Sequence, residues 1–78
     1  MSAEQIAAVL DAKGKSCPMP IVMTAKMMRD LASGQLLEVL ATDLGSTKDF
    51  AAWSKATGNE LVESSVEGGV YRFVLRRK

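Results

Sequence analysis

The sequence predicts a two-layer α/β sandwich in the order β-α-β-α-β-β, with a mixed four-stranded sheet and two helices on one face. Three observations carry this expectation. Apolar runs of strand length alternate with segments whose apolar residues recur every three or four positions. The last third of the chain holds two strand-like runs separated by Gly68-Gly69, the mark of a hairpin. Two helices can cover only one face of four strands economically.

Each element follows from its residues. Ile6 to Ala12, Ile-Ala-Ala-Val-Leu-Asp-Ala, suits either helix or strand, and Gly14 interrupts whichever forms; residues 8–12 are assigned as a strand. Pro18 and Pro20 follow Cys17 at once, and proline is tolerated in a first helical turn because the amide it lacks has no intrahelical partner there. The first helix is therefore expected to begin just after Cys17. Ile21, Ala25, Met28 and Ala32 form its apolar stripe, with Leu31 on the flank and Gly34 as the stop. Met19 and Met23 fall on the opposite side with Lys26 and Asp30, which exposes two thioethers beside the cysteine. Leu36 to Ala41 reads as a largely buried strand running into the turn Thr42-Asp43-Leu44-Gly45. Ser46 stands three residues before Asp49 as a weak capping box, Phe50, Trp53 and Thr57 share a helical face, and Gly58 ends the helix. Leu61 to Val66 and Val70 to Leu75 make the hairpin, with Tyr71, Phe73 and Leu75 facing the core and alternating with Arg72, Val74 and Arg76.

Composition bounds the chemistry. A chain of 78 residues, 47% hydrophobic and 24% charged, reads as one domain over 1–78. Domains this small bury only about 60% of their unfolded surface, so reactive groups are expected close to solvent. No apolar stretch reaches 18 residues, and Met-Ser-Ala-Glu-Gln lacks the basic flank of a secretory signal, so a cytoplasmic protein with no membrane attachment is expected. A single cysteine cannot close an internal disulfide, and without histidine there is neither a Cys/His zinc cluster nor a Cys-His catalytic dyad. Asp43 and Asp49 read as turn and first-turn carboxylates rather than half a metal site. No metal and no cofactor is expected. A net charge of +1 gives little attraction for nucleic acid; only Arg72, Arg76, Arg77 and Lys78 are locally basic, as charge that guards an edge strand or meets an acidic partner.

The segment Ser16-Cys17-Pro18-Met19-Pro20 is the candidate reactive site. With Cys17 as N-cap, its sulfur faces the first-turn amides and the positive end of the helix dipole, which favours thiolate. Pro18 and Pro20 remove two amides and fix the turn, leaving Met19 N–H as the donor toward sulfur, with Ile21 N–H assisting; Lys13 and Lys15 add to the bias. The helix terminus supplies roughly 0.3–1 kcal/mol, a bias rather than strong acidity. A sulfane sulfur taken up on this cysteine has no internal thiol to resolve it and waits for a partner.

Leu10-Asp11 through Gly14, followed by Cys17-Pro18-Met19-Pro20, resembles the N-terminal signature of the TusA (SirA-like) sulfur carriers. The resemblance continues through Gly34, Leu37-Glu38-Val39, Ala41-Thr42-Asp43, Asp49, Trp53 and Thr57-Gly58-Asn59-Glu60-Leu61, spanning about residues 9–76. It implies a β-α-β-α-β-β fold and a Cys17 that accepts sulfane sulfur as a persulfide or thiosulfonate and hands it on. It also implies a donor such as a cysteine desulfurase or rhodanese and an acceptor such as a DsrE-like protein, within sulfur oxidation, tRNA thiolation or molybdenum-cofactor synthesis. Two positions depart from the pattern: Met19 stands where the tRNA-thiolation branch often has an acid, and Ser54 where some members carry a second cysteine. Met19 and Met23 are the expected docking surface for donor and acceptor. The competing readings are a noncatalytic RNA-binding module using the sheet and the basic C-terminal residues, and a regulatory module that docks without sulfur chemistry.

Overall fold

The computed structural model describes residues 6–16 and 18–78. Its elements are β1 (Ile6–Ala12), α1 (Met19–Met28), β2 (Leu36–Ala41), α2 (Ser46–Thr57), β3 (Glu60–Glu67) and β4 (Val70–Arg76). The sheet order is β1-β2-β4-β3, with β1 parallel to β2 and β4 antiparallel to both β2 and β3. The second hairpin strand is thus inserted between β2 and β3, which run the same way and are joined through α2. The expected mixed sheet and its two helices are present.

One face of the sheet makes the core. Leu10 and Ala12 of β1, Leu37, Val39 and Ala41 of β2, and Phe73 and Leu75 of β4 share one parity along their strands and pack with Met28 of α1 and Phe50 of α2. Both helices therefore lie on that face. Phe50 and Phe73, each fully buried, stack at 4.5 Å between ring centroids, and Trp53 meets Phe50 edge-on at 6.4 Å. The opposite face carries charge in pairs: Arg72 reaches Glu38 at 3.3 Å and Glu63 at 3.1 Å, bridging β2 and β3 across β4, and Arg76 meets Glu60 at 3.5 Å. Hydrogen bonds to Glu38, then to Glu63, push the Arg72 guanidinium pKa further up. Arg72 and Arg76 thus sit on a central strand. They bind neighbouring strands together rather than guarding an edge as expected; the edge strand β3 carries a register shift between Leu61 and Glu63.

Helix α1 differs most from expectation. Its buried face is Pro20, Thr24 and Met28, flanked by half-buried Ile21, Met23, Met27 and Leu31, while Ala32 is exposed. The helix ends at Met28 because the next three amides, of Arg29, Asp30 and Leu31, donate to carbonyls three residues back and tighten the chain out of α geometry. A stripe extrapolated at α-helical pitch past that point misplaces Ala32. Pro20 is suited to burial at N2 because it brings no N–H that needs a partner.

Helix α2 starts from Gly45, and Ser46 is its first residue rather than its cap; its hydroxyl is buried and makes no capping bond. Asp43 organises this turn instead, accepting from Gly45 N–H at 3.1 Å through Oδ2 and from Ser46 N–H at 3.1 Å through its carbonyl. Thr57, expected on the core face, is exposed and donates its hydroxyl to the Trp53 carbonyl. Gly58 ends the helix in the left-handed region, at φ 82°, its N–H donating to Ser54 C=O at 2.9 Å. A Cβ there would also lie 2.9 Å from Cδ of Lys78. Gly58→Ala is expected to cost about 1–2 kcal/mol, read as a lower urea midpoint at unchanged m-value.

Candidate functional site

Parallel pairing of β1 and β2 in the register Ala12↔Ala41 brings the β1–α1 and β2–α2 loops to the same end of the sheet. In open α/β sheets this carboxyl end is where sites gather. The first loop is held at several points. Lys13 N–H donates to Asp11 Oδ1 at 3.0 Å, Lys15 N–H to Ala12 C=O at 3.2 Å, and Gly14, at φ 82°, donates across to Thr42 Oγ1 at 2.9 Å. That last bond ties the two loops together.

Cys17 lies outside the described residues; its neighbours are placed. Ser16 and Pro18 are both exposed. The N-cap of α1 is Pro18, at φ −97° and ψ 14°, which corrects the expectation of a Cys17 cap. Met19 N–H, nominated as a donor toward sulfur, instead donates to Ser16 C=O at 2.8 Å, and Val22 N–H donates to Pro18 C=O at 3.0 Å. Pro18 and Pro20 have no N–H, so Ile21 holds the remaining amide of that turn. The first turn contains no acidic residue, which keeps the dipole's positive end uncompensated from within the helix.

The two methionines separate. Met19 is 44% exposed, whereas Met23 is half-buried, packs against the core and lines a groove of about 300 Å³ with Leu10, Lys26, Met27 and Asp30. The exposed apolar residues at this end are Met19, Val22 at 45% and Leu44 at 84%. Sequence periodicity missed Val22 and Leu44. A signal for Leu44 existed: a leucine inside a turn segment has no core position to occupy. Ser54 is half-buried on α2, with Oγ donating to Asn59 C=O at 2.5 Å. Among the described residues no three potential ligands group to hold a metal ion.

Comparison with known proteins decides the family: the sequence model described as "Sulfurtransferase TusA" matches residues 8–77. The chain belongs to the TusA family. The sulfur carrier protein TusA of Allochromatium vinosum is 52% identical over 68 residues, covering 87% of this chain and 90% of that protein. YrkF of Bacillus subtilis is 55% identical over 69 residues, covering 88% of this chain; the chain spans only 37% of YrkF. A SirA-like protein of Desulfitobacterium hafniense shares the fold at a TM-score of 0.78 and 22% identity, over 88% of this chain and 95% of that one. TusA membership supports a sulfur-carrier role, and such a role implies a donor and an acceptor in general. No helix among the described residues is long and apolar enough to cross a membrane.

Proposed function

We propose that this chain carries sulfur on Cys17 and relays it between proteins in the cytoplasm, as a relay component rather than a stand-alone enzyme. The observation that supports this best is the combination of TusA membership with a single cysteine, set between exposed Ser16 and Pro18. The Cys17 thiolate attacks the terminal sulfur of a donor persulfide; the donor S–S bond breaks, the donor leaves as thiolate, and Cys17 becomes Cys17–S–SH. An acceptor thiolate then attacks that terminal sulfur and releases Cys17 thiolate. No net electron change occurs. A thiosulfonate load on Cys17 is the second form this site would take.

Pro18, Met19 and Pro20 orient the segment. Pro18 occupies the N-cap of α1, Pro20 is buried in its first turn, and Met19 N–H is bonded to Ser16 C=O. A cysteine desulfurase or rhodanese suits the donor role and a DsrE-like protein the acceptor role, in sulfur oxidation, tRNA thiolation or molybdenum-cofactor synthesis. Met19 in place of an acid and Ser54 in place of a second cysteine turn this chain away from the tRNA-thiolation branch. Direct RNA binding is disfavoured, since Arg72 and Arg76 are engaged by carboxylates.

The test is intact mass after incubation with a cysteine desulfurase and cysteine, or with tetrathionate or thiosulfate. A reductant-labile gain is expected, its mass separating persulfide from thiosulfonate. No gain with any donor would sink the carrier reading.

Docking is assigned to Met19, joined by Val22 and Leu44, with Met23 contributing its exposed edge. Met19→Lys is expected to slow transfer from a protein donor about 3- to 30-fold, the effect of a lost apolar contact of moderate weight. Loading by tetrathionate should be unchanged, and equal slowing with both donors would show damage to the cysteine site instead. Met23→Lys is the poorer probe because Met23 also packs against the core.

A further inference from the structure

A second surface lies at the other end of the helices. α1 is ten residues long, about 15 Å, and its C-terminal end lies beside that of α2 over a groove of about 340 Å³. The groove's apolar side is Ala25, Met28 and Trp53, and its rim carries Arg29, Arg77 and Lys78; among the described residues no carboxylate side chain lines it. Among the described residues the ion pairs engage Arg72 and Arg76, and none engages Arg29, Arg77 or Lys78.

The strand alternation that sends Arg72 and Arg76 to the open face sends Phe73 and Leu75 to the helix side, and Arg77 is one step further along that side. The backbone that presents these cations is fixed. Gly34 N–H donates to Arg77 C=O at 2.8 Å, Arg77 N–H to Gln35 C=O at 2.9 Å, and Lys78 N–H to Asn59 Oδ1 at 2.8 Å. A fixed backbone sets where these side chains start, so less chain ordering remains to be done on binding. Trp53, stacked edge-on against Phe50, offers a rigid aromatic wall.

We propose that this groove docks an acidic segment of a partner protein, with one apolar side chain against Ala25, Met28 and Trp53 and flanking carboxylates on Arg29, Arg77 and Lys78. The proposal takes from the carrier reading only that the chain has protein partners. Charge complementarity selects an acidic occupant. A protein segment fits better than RNA because the three cations converge on one depression with an apolar floor, while Arg72 and Arg76, which would extend a phosphate track, face the other way and are paired.

Trp53 is the only tryptophan, so its emission reports this groove. The probe is a capped peptide, Glu-Asp-Leu-Asp-Glu, titrated into the full chain, with Lys-Lys-Leu-Lys-Lys and an oligouridine as comparators. A saturable emission change with the acidic peptide alone is expected, weakened at least about tenfold by the Arg29→Glu/Arg77→Glu double variant through two reversed ion pairs. The Arg29→Gln/Arg77→Gln variant should lie between, and far-UV circular dichroism of both should match wild type. No saturable change, an equal response to the basic peptide, undiminished binding by the double variants or tighter binding of oligouridine would overturn the proposal. Cys17→Ser should bind the acidic peptide as wild type does, and the arginine variants should still load sulfur from tetrathionate. Failure of the groove and failure of the carrier chemistry are thereby read separately.

Discussion

Cys17→Ser is expected to abolish the reductant-labile mass gain with every donor and to reduce sulfur delivery to an acceptor protein to background. The loss should be complete rather than graded, because a serine hydroxyl is not a nucleophile toward a persulfide and no other cysteine exists to take over. A sharper form of the experiment asks whether any thiol suffices. Ser54→Cys in the Cys17→Ser background places a thiol on α2, at a half-buried position whose present hydroxyl is turned to the Asn59 carbonyl. That thiol lacks the exposed loop and the proline-fixed first turn of α1, and loading should stay at background. Restoration of delivery by the Ser54→Cys substitution would mean that the carrier function needs only a sulfur atom and that the segment 16–20 is dispensable. The readout is intact mass for loading and labelled sulfur on the acceptor for delivery.

The largest expected effect on stability comes from Phe50→Ala. Phe50 is fully buried, stacks on Phe73 and supports Trp53, so truncation removes an aromatic ring from the point where α2 meets the sheet. Core Phe→Ala changes cost about 3–5 kcal/mol, a large part of the roughly 5–15 kcal/mol that holds a typical domain. At about 4–8 °C per kcal/mol for a domain of this size, Tm should fall by at least about 12 °C. Lys55→Ala, at an exposed position of the same helix, should stay within about 0.5 kcal/mol of wild type. A small loss in Phe50→Ala would mean that Phe73 and Trp53 collapse into the vacated space.

The second strand and the hairpin were legible from their apolar runs and from Gly68-Gly69, whereas the first strand, assigned over 8–12, begins at Ile6. Leu36–Ala41 was bounded to the residue, since Gly34 and the Thr42–Gly45 turn close it on both sides. Helix faces were less legible. In α1 the burial of Thr24 in place of Ala25 comes from how the helix settles on the sheet, and the early end at Met28 comes from three tightened hydrogen bonds; neither is a property of residue spacing. The capping role read onto Ser46 fell to Asp43 because the turn's own geometry offered Gly45 N–H to the aspartate first. At the candidate site the proline-fixed start of α1 was readable from Pro18 and Pro20. The diversion of Met19 N–H to Ser16 was not, because it depends on the turn's conformation. The basic C-terminal residues read as one patch, yet pleating divides them between two faces, a division that requires knowing that the chain stays extended through Arg76.

The place of β4 between β2 and β3 bears on how the chain reaches this state during synthesis. The strand that completes the middle of the sheet is the last of the six elements to leave the ribosome, so β1, α1, β2 and α2 emerge before the ladder that receives Phe73 and Leu75 can close. Until then β2 has an open edge, and Phe50 lacks the ring on which it stacks. The middle of the sheet is thus completed by pairings distant in sequence, β4 meeting β2 across the whole of α2 and β3, and such non-local closure slows folding relative to a local meander.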